Sequence, residues 1–437
     1  MREVKRANRN WQRATIALCV PVLIIATLSQ PALANPGDPD GTFGMGGTVI
    51  TPFSTYNAGV NSVAVRTSNG KIVVAGHTES ANADKFALAR YKVSGALDPS
   101  FHSDGKVSTS VGPSFDGARA VAIQPNGKTV AAGFAVIGSK TVFALVRYKK
   151  NGQLDPKFHF DGKVTTPIGS GANASSIAIQ PNGKIVVAGE ALIGPNNEFA
   201  VARYKKNGKL DLAFSGNGKV TTPIGLGDAH ARSVAIQSNG MIVAGGDAQN
   251  GSNVVFALAR YDTSGALDTA NFGTGGTVLT PPQFPTANAN AYSIAIQSDQ
   301  KIVAGGQLHN GTSFEFALAR YDTSGALDTG FGTGGMVTTP FIGGDASAFS
   351  VAIQPDQKIV AAGQAVNGNI NEFALARYDT SGVLDTTNFG TGGTVTTPFA
   401  GDANARSVAI QPDGQIVAAG QWFNGNNYEF ALVRYDD

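Results

Sequence analysis

The 437-residue chain is poor in the residues that usually announce chemistry: it has one cysteine, two tryptophans and five histidines, and only 15% of it is charged. A single cysteine excludes an internal disulfide and a cysteine-based zinc site. Lysines and arginines number 33 against 31 aspartates and glutamates, so no basic excess marks a nucleic-acid footprint. The histidines (His77, His102, His159, His230 and His309) show neither His-x-x-x-His nor His-Glu-x-x-His spacing, and no Gly-x-Ser-x-Gly elbow occurs. Each histidine therefore reads as an ordinary surface residue. Phe331-Gly-Thr-Gly-Gly335 has glycines but no following Lys-Ser/Thr and no helix, so these are turn glycines and not a phosphate loop. Helical periodicity is missing throughout.

The one long apolar run lies near the start. Arg2, Lys5, Arg6, Arg9 and Arg13 precede Thr15 to Leu28, and Pro31-Ala32-Leu33-Ala34 follows with small residues. This pattern predicts a secretory signal peptide over residues 1–34, cleaved after Ala34. The run falls short of the about 20 residues that a membrane span needs. Cys19 sits inside the run, and there is no adjacent Arg-Arg pair, so neither lipidation nor a twin-arginine signal is expected. The remaining 35–437 would carry 28 basic and 30 acidic residues and no cysteine. The expectation is an exported monomer (periplasmic, cell-surface or extracellular) with no membrane span after cleavage and no nucleic-acid partner.

What the chain does have is repetition. FALARY at Phe86–Tyr91 returns at Phe143, Phe199, Phe256, Phe316, Phe373 and Phe430, with Val replacing Ala or Leu in some copies. The arginines of these hexapeptides are Arg90, Arg147, Arg203, Arg260, Arg320, Arg377 and Arg434, spaced by 57, 56, 57, 60, 57 and 57 residues. So regular a period means one supersecondary unit stacked on copies of itself. Each unit reads as four short strands: Ser-Val-Ala-Ile-Gln (Ser233–Gln237), Lys-Ile-Val-Val-Ala-Gly (Lys184–Gly189), FALARY, and Val-Thr-Thr-Pro (Val337–Pro340). Asn-Gly or Asp-Gly joins the first two strands in five units, while Asp299-Gln300 and Asp356-Gln357 predict a less favourable turn. The first two strands are apolar on both faces, so the sheets must be covered on both sides. The predicted fold is all-β: a single seven-bladed β-propeller of four-stranded antiparallel blades.

The ends predict how the ring closes. Asp40-Gly-Thr-Phe43-Gly-Met-Gly-Gly47-Thr-Val-Ile-Thr-Pro52 matches the approach and fourth strand at Asp328–Pro340, with no first three strands before it. The last unit, ending at Tyr435, lacks a fourth strand. The N-terminal strand is expected to complete the C-terminal blade, which removes a free sheet edge.

The consensus GxLDxxFGxGGxVTTP…SVAIQPDGKIVAAG…FALARY resembles the delta-60 repeat family of exported bacterial proteins and, more distantly, NHL-repeat propellers. The resemblance covers residues 38–435. It implies a propeller at the cell surface or exterior and no particular activity.

Three sets of residues are candidates for function. The seven hexapeptide arginines each precede an aspartate: Asp98, Asp155, Asp211, Asp268, Asp328 and Asp385, with Asp40 heading the chain. A residue repeated in every blade serves the blade, so Arg–Asp pairs stitching each blade are expected ahead of an anion-gripping ring. Asp116, Asp228, Asp345 and Asp402 precede first strands. They read as Asx-turn residues, with a Ca²⁺ site at the propeller mouth as the alternative; no other cofactor is expected. The third set lies where the units disagree: the segments before FALARY and the loops entering the first strand, up to the longer Pro281–Ala291. In an up-and-down blade both emerge on one face, leaving the constant turns on the other. The variable face carries Phe134, Phe314, Trp422, Phe423 and Tyr428. Two residues before the first strand's Val or Ile stand Asn61, Arg119, Ser175, Arg232, Tyr292, Phe349 and Arg406, near the channel mouth. Aromatics among amides suit a polysaccharide or protein partner, though such rings also pack loop against loop. The leading expectation is a non-catalytic binding or scaffold module. A hydrolase or lyase with a mouth calcium and a structural envelope protein are the alternatives.

Overall fold

The computed structural model describes residues 35–81, 83–280 and 288–437. The predicted signal peptide and residues 281–287 of the long entry loop lie outside them. The described chain forms 28 strands in seven four-stranded antiparallel sheets, a seven-bladed propeller. In the third blade, for example, the strands are Ala172–Ile179, Ile185–Ile193, Asn196–Tyr204 and Lys219–Thr222, in that order from the inside out. First strands of successive blades pack side by side around the axis.

The repeated hexapeptide is the third strand, and its alternation is an inter-blade joint. Side chains on a strand point alternately to opposite faces. Phe143 and Leu145 of the second blade face the third blade, where they meet Ala200, Ala202 and Tyr204. Large residues on one face thus enter the space left by small ones on the other, as close packing demands. The tyrosine closes the joint. Its hydroxyl hydrogen-bonds a threonine of the preceding blade, at the end of the fourth strand or directly after it: Tyr91 to Thr51, Tyr148 to Thr109, Tyr204 to Thr166, and Tyr321 to Thr280 among the seven. All seven tyrosines are fully buried, and burial pushes each phenol far above its usual range.

The ring closes through its two ends. Thr48–Thr51 pairs with Tyr428–Tyr435 and becomes the outer strand of the seventh blade. The turn that follows FALARY elsewhere is also rebuilt here from two pieces. Gly37 N donates to Asp436 O as Gly382 N donates to Asp379 O, and Pro36 O accepts from Gly390 N as Ser381 O accepts from Gly332 N.

Strand lengths depart from the sequence expectation. The first strands begin about four residues earlier than predicted, as at Ala229 rather than Ser233. In six blades the segment before FALARY is a continuing hairpin, closed by a two-residue turn in four of them, as in Leu192↔Asn197 and Ile193↔Asn196. Glycine at the first central position, such as Gly194 at φ 61°, provides the type II′ turn. Gln300 and Gln357 take the glycine place in their turns at φ 69° and 70°. Each side chain then accepts a backbone hydrogen bond from the preceding blade, at Ser238 and Ser298, which offsets the strain.

Candidate functional site

On the constant face every repeated arginine meets its aspartate, with N–O distances between 2.5 and 3.1 Å. This includes Arg434 with Asp40, which joins the two ends of the chain. Each guanidinium also lies 4.4–4.8 Å from the centre of a phenylalanine ring, from Phe43 to Phe389. A further N–H of each reaches into the next blade, mostly to a backbone carbonyl such as Lys150 O or Thr263 O. The arginines are 1–8% exposed, so they are blade fasteners and offer no open ring to an anion. A third member escaped sequence reasoning. Lysines at the start of the second strand, such as Lys71, Lys128 and Lys184, join the same carboxylates at 2.7–2.8 Å. Their recurrence in five units was the available signal.

These pairs predict acid sensitivity. Burial alone would push each of the seven carboxyls up, but facing Lys and Arg and nearby hydrogen bonds outweigh it and hold all seven low. A depressed folded pKa stabilises above the unfolded value and loses that contribution as pH falls through the folded one. The melting temperature should therefore drop below about pH 4, the unfolded Asp value. Asp155→Asn should cost about 3 kcal/mol at neutral pH, because Arg147 is left buried without a full charge partner. Denaturant titration of that variant between neutral pH and acid checks both.

The variable face is organised by one device. The first strand of every blade has a register break against the second, and the residue skipped is Asn61, Arg119, Ser175, Arg232, Tyr292, Phe349 or Arg406. A bulge re-aims its extra residue out of the sheet. On the innermost strand that direction is the channel. The structure therefore brings the seven mouth candidates together at one level around the axis. The serine after the bulge accepts a hydrogen bond from the next blade's first strand, as Ser62 Oγ does from Val121 N at 3.1 Å. Equivalent bonds run from Val63 to Ser407, Val234 to Ser176, Val351 to Ser293 and Val408 to Ser350.

The mouth has two chemically distinct sectors. Tyr292 and Phe349 form a tilted aromatic pair with centroids 5.3 Å apart, and Arg406 lies 4.5 Å from the Phe349 ring. Across the opening Arg119 lies 5.5 Å from the Phe134 ring. Arg232 pairs with Asp247 at 3.1 Å. Burial pushes the Arg119 guanidinium down, and the like charge of Arg232 adds to it; Arg406 is pushed down by burial and then by Arg119. Glu190 bonds His230 Nδ1 at 2.5 Å across the joint between the third and fourth blades, and Asn173 at 3.2 Å. That hydrogen bond raises the His230 pKa, while burial lowers that of His77. Sequence reading missed Glu190, Asp247, His77 and His230 as mouth residues. All except His230 directly follow the last glycine of the second strand, and His230 faces Asp247 across the hairpin.

The remaining candidates do not converge. Phe314 packs on His309 at 4.9 Å in the fifth blade, and Phe423 on Tyr428 at 5.2 Å in the seventh. Trp422 packs into the cluster between the sixth and seventh blades, 6.4 Å from Phe399. The entry acids are spread one per blade and engaged with backbone. Asp228, Asp345 and Asp402 accept from Asn197 N, Phe314 N and Asn371 N at 2.7–2.8 Å, each tying down the hairpin of the preceding blade. Asp116 accepts from Val111 N and Gly112 N. Among the described residues no group of three His, Cys, Asp or Glu is placed to hold a metal ion. A surface depression of about 810 Å³ lies at the outer rim of the sixth blade beside residues 35–39, and none of the mouth residues lines it.

A family model described as "Domain of unknown function (DUF5122) beta-propeller" matches residues 67–101, 124–158, 180–214, 237–270, 297–331, 354–387 and 411–436. No curated protein matches. Several solved structures are similar. The extracellular domain of a putative one-component system from B. thetaiotaomicron is 13% identical over 89% of this chain, with a TM-score of 0.44; the chain spans only 40% of that one. Sqt1 from Chaetomium thermophilum is 11% identical over 87% of this chain and 96% of its own, with a TM-score of 0.45. A PL25 ulvan lyase bound to a GlcA–Rha3S saccharide is 11% identical over 87% of this chain and 95% of its own, with a TM-score of 0.48.

Proposed function

The chain belongs to the DUF5122 β-propeller family, whose description assigns no activity, and we propose from its own geometry that it is an exported, non-catalytic binding module. Its ligand, a glycan or protein, sits over the channel mouth of the variable face. One observation carries this reading. Seven bulges aim seven residues at the same axial level, and those residues are Asn, Arg, Ser, Arg, Tyr, Phe and Arg, in a chain that otherwise repeats itself. A position that served the scaffold would repeat as the Arg–Asp pairs do. Binding residues on a rigid frame are free to differ.

A rival reading, a hydrolase or lyase, draws on the Glu190–His230 pair beside Arg232. Both Glu190 oxygens are already engaged, which suits a structural joint better than a poised base. The test is a binding screen of residues 35–437 against glycan arrays and envelope extracts, with and without chelator, followed by product analysis. Tyr292→Ala with Phe349→Ala is expected to weaken capture about tenfold or more, as loss of aromatic anchors does. Trp422→Ala should lower stability, by about 3 kcal/mol, and leave capture intact. Capture indifferent to the mouth pair would sink the reading, and turnover of a captured glycan would favour the rival.

A further inference from the structure

Arg119 and Arg406 are the mouth arginines without an ion pair. Guanidinium does not lose its proton under ordinary conditions, so each stays a fixed positive charge at the mouth, Arg119 exposed and Arg406 half-buried. Neither arginine has a hydrogen bond or ion pair among the described residues; each has only an aromatic ring against it. The nearby acids are committed elsewhere, Glu190 to His230 and Asp247 to Arg232. The like charge of Arg119 adds to the burial that makes Arg406 costly to hold charged, and Arg232 does the same to Arg119 against the favourable charge of Glu190. An aromatic ring on one face fixes a guanidinium while leaving its N–H edge free to donate. Charge, position and free donors together call for an anion.

The surroundings narrow the class. Beside Arg406 lies the half-buried Tyr292–Phe349 pair, an apolar platform. On the strand that carries Arg406, Asn404 is 6% exposed with its Oδ1 unpartnered, an acceptor in want of a donor. A C–H face, a hydroxyl edge and an acidic substituent occur together in an acidic sugar. An acidic peptide fits less well. It would dock by adding a strand to the inner edge of the sheets, but that edge is interrupted by the bulge at this level, and its nearby N–H groups already donate to serines of adjacent blades.

We infer that the mouth ligand is an acidic saccharide, its carboxylate or sulfate held between Arg119 and Arg406 and its sugar ring laid on Tyr292 and Phe349. The inference rests on the mouth being the binding site.

Calorimetric titration of residues 35–437 tests it with five probes: a uronate oligomer, a sulfated oligomer, a neutral oligomer of equal length, polyglutamate, and inorganic sulfate. One or both acidic oligomers should bind at least tenfold tighter than the neutral one, and which of them does so separates carboxylate from sulfate. Arg119→Gln and Arg406→Gln should each weaken that binding by about tenfold to a hundredfold, the loss of a charge-assisted hydrogen bond. Arg406→Lys should fall between, and melting curves of all variants control for folding. Equal affinity for the neutral oligomer, equal or tighter binding of polyglutamate, indifference to both Gln variants, or no binding of either acidic oligomer overturns the inference. A neutral glycan or a protein captured through Tyr292 and Phe349, yet insensitive to the Gln variants, would leave the mouth as the binding site and reject only the acidic class.

Discussion

Deleting residues 35–52 should cost the ring about 6 kcal/mol or more and replace one cooperative transition with an early, broad one. The estimate comes from two groups that the segment delivers. Phe43 is fully buried and packs between the seventh and first blades, and loss of such a ring costs about 3–5 kcal/mol. Asp40 pairs with Arg434 at 2.5 Å, and a buried arginine left alone costs about 3–5 kcal/mol. The deletion also frees the outer edge of Tyr428–Tyr435, an exposed strand that invites self-association. Scanning calorimetry and gel filtration would read both effects. A circular permutant that joins Asp437 directly to Pro36 and opens at another constant-face turn should behave in the opposite way. The turn bonds on either side of that joint, Gly37 N to Asp436 O and Gly390 N to Pro36 O, are already those of an unbroken turn. A deletion that melts like the intact chain, or a permutant that fails to fold, would show that closure is not what holds the ring.

The parts of this molecule legible in its sequence are those that every blade needs. The period, the four strands, the face shared by Phe86, Leu88 and Arg90, and the displaced fourth strand all follow from repetition, because the same joint must be solved seven times. The Arg–Asp pairing was readable for the same reason. The local geometry of the mouth was not. A bulge adds one residue without changing composition, so the strand start was read four residues late, at Ser233 instead of Ala229. Trp422 illustrates the opposite failure. Its neighbours in sequence, Gln421 and Phe423, point to the other face of the strand, and alternation sends the indole back into the joint with the sixth blade. Its place in a segment that differs between units marked it as a candidate, and strand parity turns it into the joint. Glu190 and His230 lie 40 residues apart and meet only because adjacent blades place the second strand of one beside the first strand of the next. Nothing local in the sequence signals such a pair.

The bulge has a partner that makes it testable. In every blade the last glycine of the second strand lies opposite it, and a Cβ at Gly76, Gly133, Gly189, Gly246, Gly306, Gly363 or Gly420 would fall 1.8–1.9 Å from a first-strand carbonyl oxygen. These glycines are required by close approach and not by a left-handed backbone. Gly246→Ala is expected to cost about 3 kcal/mol, at the upper end of overpacking, since backbone and not a mobile side chain stands in the way. The adjacent Gly245 is a control built into the chain. Five blades have alanine at its position, and its added Cβ would meet the movable side chain of Ile294, so Gly245→Ala should cost about 1 kcal/mol. The two variants differ by one residue on one strand, yet only the first presses on the carbonyl of His230 and the amide of Arg232. Any relief there must shift the bulge. Because side chains alternate, a one-residue slip would turn Arg232 out of the channel. Gly246→Ala should thus lose stability and mouth binding together, whereas Gly245→Ala keeps binding. If both variants lose stability alike and both still bind, the glycine does not set the bulge, and the aim of the mouth residues must come from their own side-chain contacts.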